Sequence, residues 1–267
     1  TTKRSTLTLS SSLSHAFETG TVDHELLLGA EYISTSNDND RYKASTSPNV
    51  NIFTQLPSFS SSFSSSAYDD TSADLDVISI FLQDTVALTE SLDLVLGARF
   101  DTFELDVTGI RKGGSSADGN SSDDNLSPRV GFVFKPVDDL SVYASYSETF
   151  VPQSGEQYAD LAGKEAIDAN EFTNLELGAK WSIKDGYTFT ASVFQIDQQE
   201  YEEDGNGDKQ FLDNEISGFE VQFTGNLTSS WTISAGYSFL DGETGTSTRP
   251  KELPENMFSL WNYYQAS

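Results

Sequence analysis

Apolar side chains recur along this chain with a period of two. In 175–183 one face reads Leu175, Leu177, Ala179, Trp181 and Ile183, and the other Glu176, Gly178, Lys180 and Ser182. The segment 219–227 sets Phe219, Val221, Phe223 and Leu227 against Glu220, Gln222, Thr224 and Asn226. From 231 to 239, Trp231, Ile233, Ala235, Tyr237 and Phe239 alternate with Thr232, Ser234, Gly236 and Ser238. Such alternation is the mark of a strand with two unlike faces. Carried along the chain, it predicts eleven strands, near 3–17, 24–36, 75–88, 92–107, 126–135, 140–150, 171–183, 187–197, 216–227, 231–240 and 256–264. Only 160–169 offers a short helix, within a loop.

The polar face is too polar for a dry core. Glu176, Lys180 and Glu220 would each cost several kcal/mol there unless paired. Water therefore lies on that side, and the apolar side meets lipid or a second sheet. The connections favour lipid. Short ones (18–23, 89–91, 136–139, 184–186, 228–230) alternate strictly with long ones (37–74, 108–125, 151–170, 198–215, 241–255). Outer-membrane barrels have tight periplasmic turns and long extracellular loops. A β-sandwich or propeller, serving as a binding or structural module, is the alternative of a different class. Phe134, Trp181, Tyr187 and Trp231 gather at the short-turn end, as an interfacial girdle would. The fold expected is all-β: an antiparallel up-and-down transmembrane β-barrel, present as a partial curved sheet of about eleven strands. Leu177, Ala179, Phe219, Val221, Phe223, Ile233 and Tyr237 should share its convex face. Glu176, Lys180, Glu220, Gln222 and Ser234 should line the concave one. Phe194 and Ile196 break the pattern by falling on the concave side.

Composition narrows the picture further. No run approaches the ~18 apolar residues of a transmembrane helix, which leaves a barrel open because its strands expose alternate residues to lipid. A net charge of −27, from 42 acidic and 15 basic residues, disfavours nucleic-acid binding. The absence of Cys excludes disulfides and thiolate chemistry. Residues 1–5 lack an apolar signal core, so the chain is expected to begin within a longer protein.

Several segments together resemble the TonB-dependent siderophore receptors. They are 126–136 (LSPRVGFVFKP), 140–154 (LSVYASYSETFVPQS), 172–181 (FTNLELGAKW), 189–197 (FTASVFQID), 217–220 (SGFE), 233–241 (ISAGYSFLD) and 258–263 (FSLWNY). They follow the family's order over roughly 78–264, with looser likeness at 24–32 and 81–84. The resemblance implies a 22-stranded barrel around a plugged lumen, of which 1–267 would be a partial barrel domain holding the eighth to eighteenth strands. The TonB box, the plug, the first strands and the closing strands would lie outside it. It implies active uptake of a ferric siderophore across the bacterial outer membrane, or of another cargo such as cobalamin or a glycan. Implied partners are the siderophore, outer-membrane lipid and lipopolysaccharide, and TonB through the missing N-terminal region. No cofactor is implied.

In that family the ligand sits above the plug, against aromatic and polar residues of wall and loops. By that analogy the candidates are Tyr143 on the lumen face, and Tyr158, Tyr201 and Phe211 in outer loops. Rings give contact area at little entropic cost; capping of loops by the same rings is the alternative. The segment 204–215 imitates a calcium loop through Asp204, Asn206, Asp208 and Glu215, but Lys209 and Leu212 occupy positions that need Gly and an oxygen donor. An ordinary acidic turn is expected there. The serine-rich 57–66 suits a loop tip. Arg99, Arg129, Lys135 and Lys180 should face the lumen, to pair with plug carboxylates or with lumen acids such as Asp101 and Glu176. His15 and His24 flank the first short turn without an evident carboxylate partner, and no catalytic set emerges. Acids crowd the 198–215 connection, so the field at the mouth should favour a neutral or cationic ferric complex.

Overall fold

The computed structural model describes residues 2–44, 53, 63–64, 66–111, 114–152, 161, 168–184, 186–203, 209–245, 247–250 and 253–266; for 184, 201–203 and 209–211 it describes the backbone alone. Eleven strands follow one another: β1 (Thr2–Thr19), β2 (Val22–Arg41), β3 (Asp69–Thr89), β4 (Leu92–Ile110), β5 (Gly119–Val137), β6 (Leu140–Val151), β7 (Asn170–Lys184), β8 (Tyr187–Glu203), β9 (Lys209–Thr228), β10 (Trp231–Glu243) and β11 (Asn256–Tyr264). They form one sheet in sequence order, every neighbouring pair antiparallel. Among the described residues there is no second layer, so the sandwich and propeller alternatives fall away. β1 pairs with β2 alone and β11 with β10 alone.

The alternation of connections holds. Gaps at 20–21, 90–91, 138–139, 185–186 and 229–230 alternate with longer ones at 42–68, 111–118, 152–169, 204–208 and 244–255. Gly20 (φ 69°) and Gly186 (φ 86°) supply left-handed backbone in two of the tight turns. The anticipated helix at 160–169 lies largely outside the described residues, as does the serine-rich 57–66.

The strands run further than the periodicity predicts. β3 holds 21 residues, and β2 and β9 hold 20 each, whereas crossing the hydrocarbon takes about 9–11. The surplus stands at the long-loop end. Segments 198–203 and 209–215, expected in a loop, form a paired hairpin in which Gln198 faces Asn214 and Asp197 faces Glu215. These stretches are polar on both faces, which a test for alternation reads as loop. In this hairpin neither face is apolar, and the hydrogen-bond ladder continues all the same.

Register assigns every side chain to a face. Leu177 lies in one cross-strand row with Val193, Phe219 and Phe239, while Gly178, Ser192, Glu220 and Ser238 make the alternate row. Apolar side chains of the first face stand open, with Leu177 53% and Ile80 57% exposed, whereas Ser79 and Asp101 on the other are 1% and 6% exposed. Curvature crowds side chains on the inside of a sheet and spreads them outside, so the polar face is the concave one. All seven residues expected on the convex face share it, and all five expected opposite them share the other. Phe134, Trp181, Tyr187 and Trp231 point outward at the short-turn end. Phe194 and Ile196 do face inward, and the ring of Phe194 finds room because Gly218 lies beside it.

In the upper parts of β3 and β4 the sidedness reverses. Ala73, Leu75, Phe103, Leu105 and Val107 are buried on the concave side, joined by Ala117 and by Leu161 of the β6–β7 connection. Asp74, Glu104 and Asp106 point outward into solvent.

Candidate ligand-binding site

The concave wall holds two large hollows. One, of about 780 Å³, runs from β2 to β7 and includes Leu27, Phe81, Arg99, Arg129 and Tyr143. The second, of about 870 Å³, lies over β6–β11 and includes Tyr143, Glu176, Ser192, Glu220 and Gln222. Tyr143 borders both. Its register partner on β7 is Gly178, and a Cβ there would run into the Tyr143 ring, so the absence of one lets the ring lie flat across the strand. The phenol donates to Glu176 Oε1 at 2.5 Å. The result is an aromatic surface with one fixed polar edge, suited to a ligand that is part apolar and part oxygen-rich.

The other sequence candidates do not join it. Tyr201 and Phe211 face one another across β8 and β9 at the far end of that hairpin, in strand rather than loop; their side chains are not among those described. Tyr158 lies outside the described residues. Of the calcium-like segment, 204–208 is likewise outside, and 209–215 is extended β9 rather than a wrapping loop. Among the described residues no cluster of three or more metal-ligating side chains occurs.

The cations sort into two kinds. Arg99 is fully engaged: Nε donates to Asp101 Oδ1 at 2.8 Å, and Nη2 to Glu31 Oε1 at 3.0 Å and to Ser79 Oγ at 2.6 Å. Its guanidinium lies 5.8 Å from the centroid of the Phe81 ring. Ser79 in turn donates to Asp101 Oδ1 at 2.5 Å. Lys135 pairs with Asp93 at 2.6 Å. Arg129 and Lys180 have no such partner among the described residues. Glu31, Ser79 and Phe81 were absent from the sequence candidates. Parity along β2 and β3 puts them on the polar face, but only register brings them to Arg99 from those two strands.

A correction concerns His24. Its Nδ1 lies 2.8 Å from Asp84 Oδ2, a carboxylate 60 positions away, where the sequence suggested no partner. Phe17 stacks on the imidazole at 4.7 Å. The pair sits on the convex face, where Asp84 lies between Leu26 and Leu96. A lone carboxylate is costly on a lipid-facing surface, and pairing offsets that cost.

A third hollow, about 1030 Å³, lies at the long-loop end over β7–β10 and is polar, with Glu171, Asp197, Asp213, Glu215, Glu243 and Arg249 on its walls. Outside the spanning segments, Asp118 in the β4–β5 connection accepts from the Gly109 amide at 2.9 Å. That bond, with the Ser116 hydroxyl, holds its carboxyl below the ordinary 3.8.

A meander with an apolar convex belt, an aromatic rim and a wet concave wall defines part of an outer-membrane β-barrel. Residues 1–267 match the family model for the TonB dependent receptor-like β-barrel. The chain belongs to that family of bacterial outer-membrane proteins. Among curated proteins it is 27% identical to the probable TonB-dependent siderophore receptor PiuA of Acinetobacter baumannii, over 99% of this chain and 42% of that protein. It is 24% identical to the catecholate siderophore receptor Fiu of Escherichia coli K12, over 98% and 39%. The metal-pseudopaline receptor CntO of Pseudomonas aeruginosa is 27% identical, over 92% and 37%. Among solved structures, the closed form of Fiu superposes with a TM-score of 0.85 at 23% identity, covering 100% of this chain and 43% of that one. PiuA gives 0.84 at 23% identity, covering 98% and 44%. The chain thus spans about two-fifths of the relatives it matches.

Proposed function

We propose that this chain is barrel wall from a receptor that takes up a ferric siderophore across the outer membrane, with energy supplied through TonB. The observation that carries the reading is the concave wall, where Tyr143, Glu176 and Arg99 line hollows of about 780 and 870 Å³. The naming of PiuA and Fiu as siderophore receptors supports the same class. The wall residues would bind and guide the complex, and no bond in it need be made or broken. Tyr143 is the proposed contact residue described here; Tyr158, Tyr201 and Phe211 stay as proposed contacts in the outer hairpins. Lipid surrounds the convex belt, and lipopolysaccharide meets the outward acidic extensions above it.

The rim is strongly acidic. Such a field slows the approach of a multiply charged anion, with screening over about 8–10 Å at physiological salt, which favours neutral or cationic complexes in the encounter step. The test is growth rescue of an iron-starved strain that lacks its own siderophore receptors and expresses the full-length protein. Rescue by a ferric siderophore, lost on deleting TonB, is the expected result. Uptake of cobalamin or a glycan with no iron-complex uptake would overturn the cargo assignment.

A further inference from the structure

Arg129 is out of keeping with the chain that carries it. With 42 acidic residues against 15 basic ones, a cation here has acids in surplus: Arg99 takes two, and Lys135 and Arg249 take one each. Arg129 takes none among the described residues. Its cross-strand neighbours are Gly97 and Ser147, and its neighbours along the same face of β5 are Ser127 and Gly131. Diagonally opposite lies Arg99, a second cation. The register therefore surrounds this guanidinium with positions that carry no carboxylate.

The stem is held in place. A Cβ at Gly97 would lie 2.7 Å from Arg129 Cγ and 2.9 Å from Cδ, so the missing side chain lets the stem cross β4 closely and aim the guanidinium along the wall. It borders the 780 Å³ hollow with Phe81 and Tyr143. Open to water, the group is satisfied. Anything that fills the hollow strips that water, and an uncompensated buried charge costs several kcal/mol. The occupant must then bring oxygens of its own, and a guanidinium fork matches two oxygens held in a plane.

We propose that Arg129 is a receptor for a two-oxygen anionic group, a carboxylate or catecholate, brought into the lumen by the transported iron complex or by another segment of the receptor itself. This rests on the uptake reading above for the first source only. Arg129 would act after entry, on dissociation, whereas the acidic rim acts on approach.

The experiment uses the full-length receptor purified in detergent, as wild type, Arg129→Gln and Arg129→Lys. Affinity is measured for an anionic tris-catecholate iron complex and a neutral trihydroxamate iron complex at matched ionic strength, and Tm is measured without ligand. If the complex supplies the oxygens, Arg129→Gln weakens the tris-catecholate by about tenfold or more and leaves the trihydroxamate within about twofold. Arg129→Lys should recover part of the loss. If the receptor supplies them, Tm falls in Arg129→Gln, partly recovers in Arg129→Lys, and the two complexes respond alike. A Gln variant with wild-type Tm and unchanged affinity for every complex that binds would overturn the proposal. A wild-type receptor that binds neither complex would count against siderophore uptake while leaving the Tm comparison to decide Arg129.

Discussion

The lower and upper halves of β3 and β4 are one continuous pleat with opposite chemistry. Below, Ile78, Ile80, Leu82 and Phe100 point outward while Ser79, Arg99 and Asp101 point inward. Above, Asp74, Glu104 and Asp106 point outward while Leu75, Phe103 and Leu105 point inward. Nothing in the backbone marks the change, for the register from Asp70 to Ala87 is unbroken. What changes is the medium on each side. Below, lipid lies outside and water inside. Above, water lies outside, and the concave side is covered by Ala117 and Leu161 from two connections. The apolar face follows whichever side is dry. A strand can therefore serve two environments with no bulge or break, provided its side-chain pattern switches parity where the membrane ends.

Breaking the upper cluster should have the largest effect. Leu105 is 1% exposed, and Leu105→Ala in the full-length receptor is expected to cost about 2–5 kcal/mol. Chemical unfolding in detergent would read it, and a cost below that of an exposed leucine such as Leu177 would refute burial at this position. The lower half should respond to charge on the opposite face. Ile80→Arg is expected to cost up to about 2–4 kcal/mol in lipid, the ceiling being the value for a cation at the membrane midplane. The same change at Asp76, four positions up the same face, should cost far less; equal costs would erase the proposed boundary. A smaller effect should arise at Asp74 and Asp106, which face each other directly. Like charges in that position repel, so Asp74→Lys should stabilise by about 0.2–1 kcal/mol, less at high salt.

The smallest expected effect tests the upper end itself. Asp118 holds the Gly109 amide through a carboxyl whose pKa lies below 3.8. A carboxyl depressed on folding contributes its stability above the unfolded value, and that contribution is lost as pH falls through the folded value. Amide exchange at Gly109 should therefore rise, relative to neighbouring amides, only below about pH 4. Protection unchanged to pH 2 would show that the bond does not hold this connection. Gly109 itself sits at φ 125°, with the Asp70 carbonyl where a Cβ would go, so the amide is fixed by backbone as well as by the carboxylate.

Much of this was legible in the residues alone. The alternation in 175–183 and 219–239 is enough to set the faces of β7, β9 and β10, because side chains on a strand can point only two ways. The alternating connection lengths were enough for an up-and-down sheet. Tyr143 could be placed on the polar face by parity with Ser141 and Ser145. The paired extension at 198–203 and 209–215 was not legible, because a strand polar on both sides has no period to detect. Nor were the Glu31–Arg99–Asp101–Ser79 network, the His24–Asp84 pair or the isolation of Arg129. Each depends on which residue lies across from which, and that is set by the ladder between strands far apart in sequence. Sequence alone determined the faces, since the pleat is local; the tertiary structure decided the partners, since register is not.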